Sequence, residues 1–138
     1  MSNKFVATVF STITAVLSIA TPALAQYPGY TKIDETSYAI YLLKNDSIRI
    51  FNRRMHEVSY EQVTAMKPGQ QKDSAYLIST YKASCVTGTI TMIENTSYSA
   101  THQRLLTDDN PTVLPDRGDN DSFAVVRDMI CKNSASSL

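Results

Sequence analysis

Two histidines, two cysteines, one cluster of arginines and one run of aspartates are the side chains of this chain that could do chemistry. His56 stands between Arg53, Arg54 and Glu57, and His102 lies in the polar stretch from Ser99 to Arg104. Imidazole is the side chain that exchanges protons near neutral pH, so acid–base and metal chemistry here is limited to these two positions. Neither belongs to a G-x-S-x-G elbow or an H-E-x-x-H helix, so no nucleophile and base are paired along the sequence. His102 reads as a solvated surface histidine. No catalytic, cofactor-binding or metal-ligating residue is expected.

Asp116, Asp119, Asn120 and Asp121 supply oxygen atoms of the kind calcium prefers, but that ion wants six to eight of them in a defined loop. The glycine of this stretch, Gly118, falls out of place for an EF-hand, and the bidentate glutamate is missing. A solvated acidic loop, with Asp121 or Ser122 accepting from the first backbone N–H groups of a helix, accounts for the same residues. Arg117-Gly118-Asp119 spells a tripeptide that integrins read on mobile loops, and it occurs by chance in many proteins. Arg49, Arg53 and Arg54 form the one basic cluster and could meet an anionic partner. Charges that keep a sheet edge from aggregating would have the same composition.

The first 25 residues have the layout of an export signal. Lys4 follows a short start, Phe5 to Ala20 is dominated by small and apolar residues, and Thr21-Pro-Ala-Leu-Ala25 ends in the A-x-A pattern that signal peptidases cut. Cleavage after Ala25 is expected, with residues 26–138 forming one domain that is secreted or periplasmic. No membrane span is expected once the signal is gone, and no cysteine sits at the cut to receive a lipid. Removing 25 of 138 residues leaves 113, enough for a single core of modest stability. Lys4 leaves with the signal, so 12 basic residues remain against 13 acidic ones. A net charge of that sign argues against general nucleic-acid binding, which needs a clustered positive field.

Cys85 and Cys131 are an even pair in an exported chain, and such a pair is most simply a structural disulfide. Two free thiols serving a metal or a redox reaction are the alternative, but the separation fits neither C-x-x-C nor a zinc-ligand spacing. A bridge over such a loop contributes about 4 kcal/mol in the chain-entropy account.

The elements that would position these residues follow from periodicity. Pro28 and Gly29 make an extended, turn-rich entry with room for a short first strand. Tyr38–Leu43 reads as a buried strand, Asn45-Asp46 as a bend, and Ser47–Asn52 as a second strand. Met55–Met66 favours a strand through the alternation of His56, Val58, Tyr60 and Gln62. Lys67-Pro-Gly-Gln70 forces a turn. Ala75–Val86 is the clearest strand, and Thr89–Ile93 follows it, either as a hairpin partner or as a continuation kinked at Gly88. Asp108–Asp119 is expected to be an exposed loop. A helix then opens at Asp121-Ser122, burying Phe123, Val126, Met129 and Ile130 and turning Arg127 and Asp128 outward, before a frayed tail from Asn133 to Leu138. Cys131 at its end would staple it to the sheet.

An apolar strand running into Asp46-Ser-Ile-Arg49, a tyrosine-bearing strand leading from Tyr76 to Cys85, and a proline-marked loop before a helix that ends in Val126-x-x-x-x-Cys131 together resemble the surface-adhesin protein E-like domains of exported bacterial proteins. The resemblance covers about Tyr30 to Lys132. It implies an α+β fold in which a twisted antiparallel sheet packs with a C-terminal α-helix tied back by one disulfide. It also implies a non-enzymatic binding domain that recognises a protein or another cell-envelope or host macromolecule. The adhesin of that family is lipid-anchored and binds host matrix proteins. This chain lacks the lipidated cysteine and the family's strand tryptophans, and no functional residue carries over. Two other classes fit the size and the disulfide: a periplasmic inhibitor of a hydrolase such as lysozyme, and a small exported hydrolase or metal protein.

Overall fold

A computed structural model describes residues 27–135. The expected signal, its cleavage site after Ala25 and residues 136–138 lie outside the described residues. Eight strands form one antiparallel sheet: β1 (Tyr30–Glu35), β2 (Ala39–Lys44), β3 (Arg49–Asn52), β4 (Glu57–Met66), β5 (Tyr76–Ser84), β6 (Ile90–Tyr98), β7 (Arg104–Asp108) and β8 (Thr112–Val113). One α-helix, α1 (Ser122–Ala135), follows. The spatial order is β1-β2-β4-β5-β6-β7.

The middle of the sheet is a meander of three long strands whose composition is β-branched, aromatic and alternating, as a pleated surface with a buried side requires. Val58, Tyr60 and Gln62 of β4 and Ser79, Tyr81 and Ala83 of β5 are buried at every second position. They pair across the two strands as Val58 with Ala83, Tyr60 with Tyr81 and Gln62 with Ser79. Outside this meander the partners are split. β2 pairs with Gln62–Met66 of β4 and β3 with Glu57–Ser59, so the two short strands lie end to end along one edge of β4. A single 3-10 turn over Asn45–Ser47 makes the step between them. In the same way β7 pairs with the second half of β6 and β8 with its first half.

Helix α1 lies on the face formed by Val58, Tyr60, Tyr81 and Ala83. Val126 and Ile130, both buried, close the core together with Leu43 and Ile90. The Phe123 ring meets Tyr81 edge-on at 5.4 Å, and Tyr60 stacks on Tyr81 at the same distance. The Asp121 carboxylate accepts from the Phe123 N–H at 3.2 Å and caps the first turn. Cys131 is bonded to Cys85, with the two Cα atoms 5.5 Å apart at a sequence separation of 46. Sulfur thus fixes the end of β5 to the last third of the helix.

Three details of the helix differ from expectation. Met129 is 36 % exposed and does not join the apolar stripe. Arg127 turns inward instead: its guanidinium donates to the Gly88 carbonyl at 3.1 Å. Gly88 has φ +81°, and a Cβ there would come within 3.3 Å of that guanidinium. The β5–β6 turn and the helix are therefore joined twice, by Cys85 and by Gly88. Asn133–Ala135 is helical rather than frayed, because residues beyond the disulfide continue from an anchored turn. Strand β8, inside the expected loop, is a further difference, a two-residue pairing to Thr91 and Met92, and so are the extension of β6 to Tyr98 and the whole of β7.

Candidate interaction surface

On any strand, the residues between the helix-facing ones point to the opposite side of the sheet. Register lines these up in two rows that cross six of the eight strands, β1, β2, β4, β5, β6 and β7. One runs Lys32, Leu42, Val63, Ile78, Thr96, Thr107, and the next runs Glu35, Ile40, Ala65, Tyr76, Tyr98, Arg104. Leu42 and Thr96 are buried, and Ile40, Val63, Ala65, Tyr76, Ile78 and Tyr98 are half-buried. The helix packs against the other side, so this reverse face is the broad surface of the sheet that α1 leaves uncovered.

Its polar groups are held in place. Thr96 and Thr107 hydroxyls hydrogen-bond at 3.1 Å within the first row. Tyr76 and Tyr98 stack nearly parallel, with ring centroids 5.0 Å apart, and the Tyr76 hydroxyl shares a 2.9 Å hydrogen bond with Nδ1 of His102. Desolvation, reinforced by the neighbouring Tyr98 and Tyr30 phenols, raises the Tyr76 pKa, so the phenol keeps its proton. At the β1 end, Glu35 accepts from Lys32 at 2.8 Å and is paired with Lys67 at 2.6 Å. These two ammonium groups hold its carboxyl down at about 2. Tyr27 stands beside this network, and burial, with Glu35 next in effect, raises its pKa.

The residues singled out in the sequence are distributed elsewhere. Arg49 donates to the carbonyls of Asp46 and Ile48 and lines a cleft of about 290 Å³ with Lys44, Asp46, Ser59, Glu61 and Thr80. Arg53 and Arg54 sit in the exposed β3–β4 turn, whereas Arg49 lies on strand β3. Arg117, Gly118 and Asp119 are all exposed in a turn before α1, where Gly118 has φ +94° and its N–H donates to Asp116 Oδ1 at 2.9 Å. Asp116 and Asp121 thus serve backbone N–H groups. Among the described residues no three His, Cys, Asp or Glu side chains converge where a metal ion could be held.

His56 is exposed with φ 54°, and its carbonyl accepts from the Cys85 N–H at 2.8 Å. His102, read from the sequence as simply solvated, is exposed but bonded to Tyr76. The Tyr76–Tyr98–His102 group is what sequence reasoning missed. Tyr98 follows a polar run, Glu94–Ser97, that hides the strand, and only the β5–β6 register places it beside Tyr76. Tyr76 in the clearest strand was the available signal.

No family model matches the chain, and no curated protein matches it. Solved structures do. Crystal form II of Haemophilus influenzae protein E superposes with a TM-score of 0.61 at 14 % identity, covering 87 % of this chain and 99 % of that one. The chain has the protein E fold. A second Haemophilus influenzae protein E structure gives 0.60 at 14 % identity over 81 % and 90 % of the two chains. Protein E from non-typeable Haemophilus influenzae gives 0.57 at 15 % identity over 80 % of each. At this level of identity the likeness concerns architecture: the antiparallel sheet, the terminal helix and the path of the chain between them. No helix among the described residues is long and apolar enough to cross a membrane.

Proposed function

We propose that this protein is an exported, non-enzymatic binding domain that presents the reverse face of its sheet to another protein of the cell envelope or of a host. Residues 1–25 act as the export signal, removed after Ala25. The observation that carries the reading is the pair of rows crossing six strands opposite α1, with Tyr76 stacked on Tyr98 in the second of them. Tyrosine contributes large contact area with few rotors to immobilise and a hydroxyl for hydrogen bonding, which is why it is enriched where proteins meet. Tyr76 is already fixed by Tyr98 and His102, so little side-chain freedom is lost on contact. The disulfide suits an oxidising compartment, and the resemblance to adhesin-type domains points the same way.

The test is a titration of the refolded domain against a partner captured from envelope and matrix proteins and then purified. Tyr76→Ser with Tyr98→Ser is expected to weaken micromolar or tighter binding at least tenfold while leaving the helix-side core intact. A partner that binds both forms equally, or capture of nothing above background, overturns the reading. Hydrolysis of a substrate lost on changing His102 or His56 would replace it with an enzyme.

A further inference from the structure

The connector between β8 and α1 carries two charged side chains that the fold does not use. Residues 115–120 are all exposed, and among the described residues their hydrogen bonds close within 116–121. The Gly118 N–H donates to Asp116 Oδ1 at 2.9 Å, and the Gly118 carbonyl accepts from the Asp121 N–H at 3.2 Å. Asp121 also caps α1. The two outer aspartates therefore shape the loop, while Arg117 and Asp119 between them form no hydrogen bond and no ion pair among the described residues. Asp119 does act on Arg127 through space, as Asp116 does, but the Nε and Nη1 groups of Arg127 donate to Asp128 and to the Gly88 carbonyl.

Gly118 completes the arrangement. Its φ of +94° is one that side chains rarely allow, and a Cβ there would meet nothing within 4 Å. Glycine is thus required for the shape of the backbone and not to make room for a neighbour. A guanidinium and a carboxylate, both unspent, stand on either side of a bend that is already shaped, so little chain freedom is lost when a partner grips them together. Charge decides which partner this suits. Three carboxylates stand against one guanidinium over 116–121, which repels a polyanion or an anionic lipid surface. A carboxylate that serves no N–H group is instead a ready ligand for a divalent cation with an open coordination position, because hard cations take oxygen. The loop does not hold such an ion itself, since no three acidic, imidazole or thiol side chains converge among the described residues. The cation then belongs to the partner. The guanidinium, two residues from that carboxylate, calls for a planar acidic acceptor nearby. Receptors that read arginine and aspartate across a single glycine, as integrins do, combine the two.

We infer that Arg117-Gly118-Asp119 is a second binding site of this protein, read by an integrin-type receptor whose own divalent cation takes the Asp119 carboxylate while an acidic pocket takes the Arg117 guanidinium. The site is separate from the reverse face. Through Arg127 it neighbours Gly88, at the end of β5 and β6 opposite to Tyr76 and Tyr98.

The purified protein is immobilised and titrated with the soluble ectodomain of an integrin that recognises Arg-Gly-Asp peptides, in Mn²⁺ and in EDTA. Saturable binding is expected in Mn²⁺, abolished by EDTA and displaced by a soluble Arg-Gly-Asp peptide but not by Arg-Gly-Glu. Asp119→Glu keeps the charge, moves the carboxylate by one methylene and weakens binding at least about 30-fold. Arg117→Gln weakens it about tenfold through the lost charged hydrogen bonds, and Gly118→Ala about tenfold through φ alone. Tyr76→Ser leaves it unaltered, and every variant keeps the disulfide and the circular dichroism of the parent. Absence of saturable binding in Mn²⁺ overturns the inference, and so does binding that survives EDTA or Asp119→Glu. Binding lost in Tyr76→Ser and kept in Asp119→Glu overturns it too, by assigning the receptor to the reverse face.

Discussion

The two faces of this sheet are built from the same strands, yet one is sealed and the other left half-covered. On the sealed side Val58, Tyr60, Tyr81, Ala83 and Ile90 meet Val126 and Ile130, and every one of them is buried. On the reverse side most of the apolar residues, Ile40, Val63, Ala65 and Ile78, are only partly shielded. The difference lies in what each face is given to close it. The sealed side receives a capped amphipathic helix, a disulfide and the Arg127–Gly88 bond, whereas the reverse side receives charged and aromatic borders. A small domain that stakes its cohesion on one face can leave the other for contact.

The largest test of this asymmetry is removal of the covalent tie. Cys85→Ser with Cys131→Ser is expected to lower unfolding free energy by about 4 kcal/mol, read from urea denaturation. A loss below about 1 kcal/mol would mean that packing alone holds the helix and that the two faces are less different than described. Next comes a matched pair of truncations. Ile130→Ala, at a fully buried site, should cost about 3 kcal/mol, while Ile78→Ala on the reverse face should cost about 1 kcal/mol. Equal losses would show that the reverse face is a second core and not a contact surface.

The smallest effect concerns the sealed side's one flaw. The Tyr60 hydroxyl is buried and has no hydrogen-bond partner among the described residues. Burial, and Tyr81 beside it, raise the Tyr60 pKa far above the ordinary phenol value of 10.0. The unfolded chain can release that proton near pH 10 and the folded one cannot, so the neutral phenol's contribution is complete below about pH 10 and is lost progressively above it. Tyr60→Phe should be neutral or up to about 1 kcal/mol stabilising at pH 7. It should also flatten the decline in melting temperature between pH 9 and about pH 11, followed by circular dichroism.

Where burial repeats with a fixed period, the sequence was sufficient. Val58, Tyr60 and Gln62 alternate cleanly, and Phe123, Val126 and Ile130 recur at helical spacing, so β4, β5 and α1 could be placed, and the lone cysteine pair joined them. The second half of β6 and all of β7 were not legible, because Glu94–Ser97 is polar and Arg104–Asp108 is an exposed edge strand whose Leu105 and Leu106 have no buried face to impose alternation. Met129 and Arg127 exchanged roles for a reason one-dimensional spacing cannot carry, since Arg127 is held inward by the Gly88 carbonyl, 39 residues earlier. The candidate surface depends on register, which brings Tyr98 beside Tyr76 from a segment that looks like loop.

The bond between Cys85 and Cys131 also orders events in time. The last strand residue, Val113, leaves the synthetic machinery before the connector and all of α1, so every strand has been made before the helix that covers their oily side. The bridge is therefore the last tie that the chain can make, since Cys131 lies near the end of the segment that closes the core.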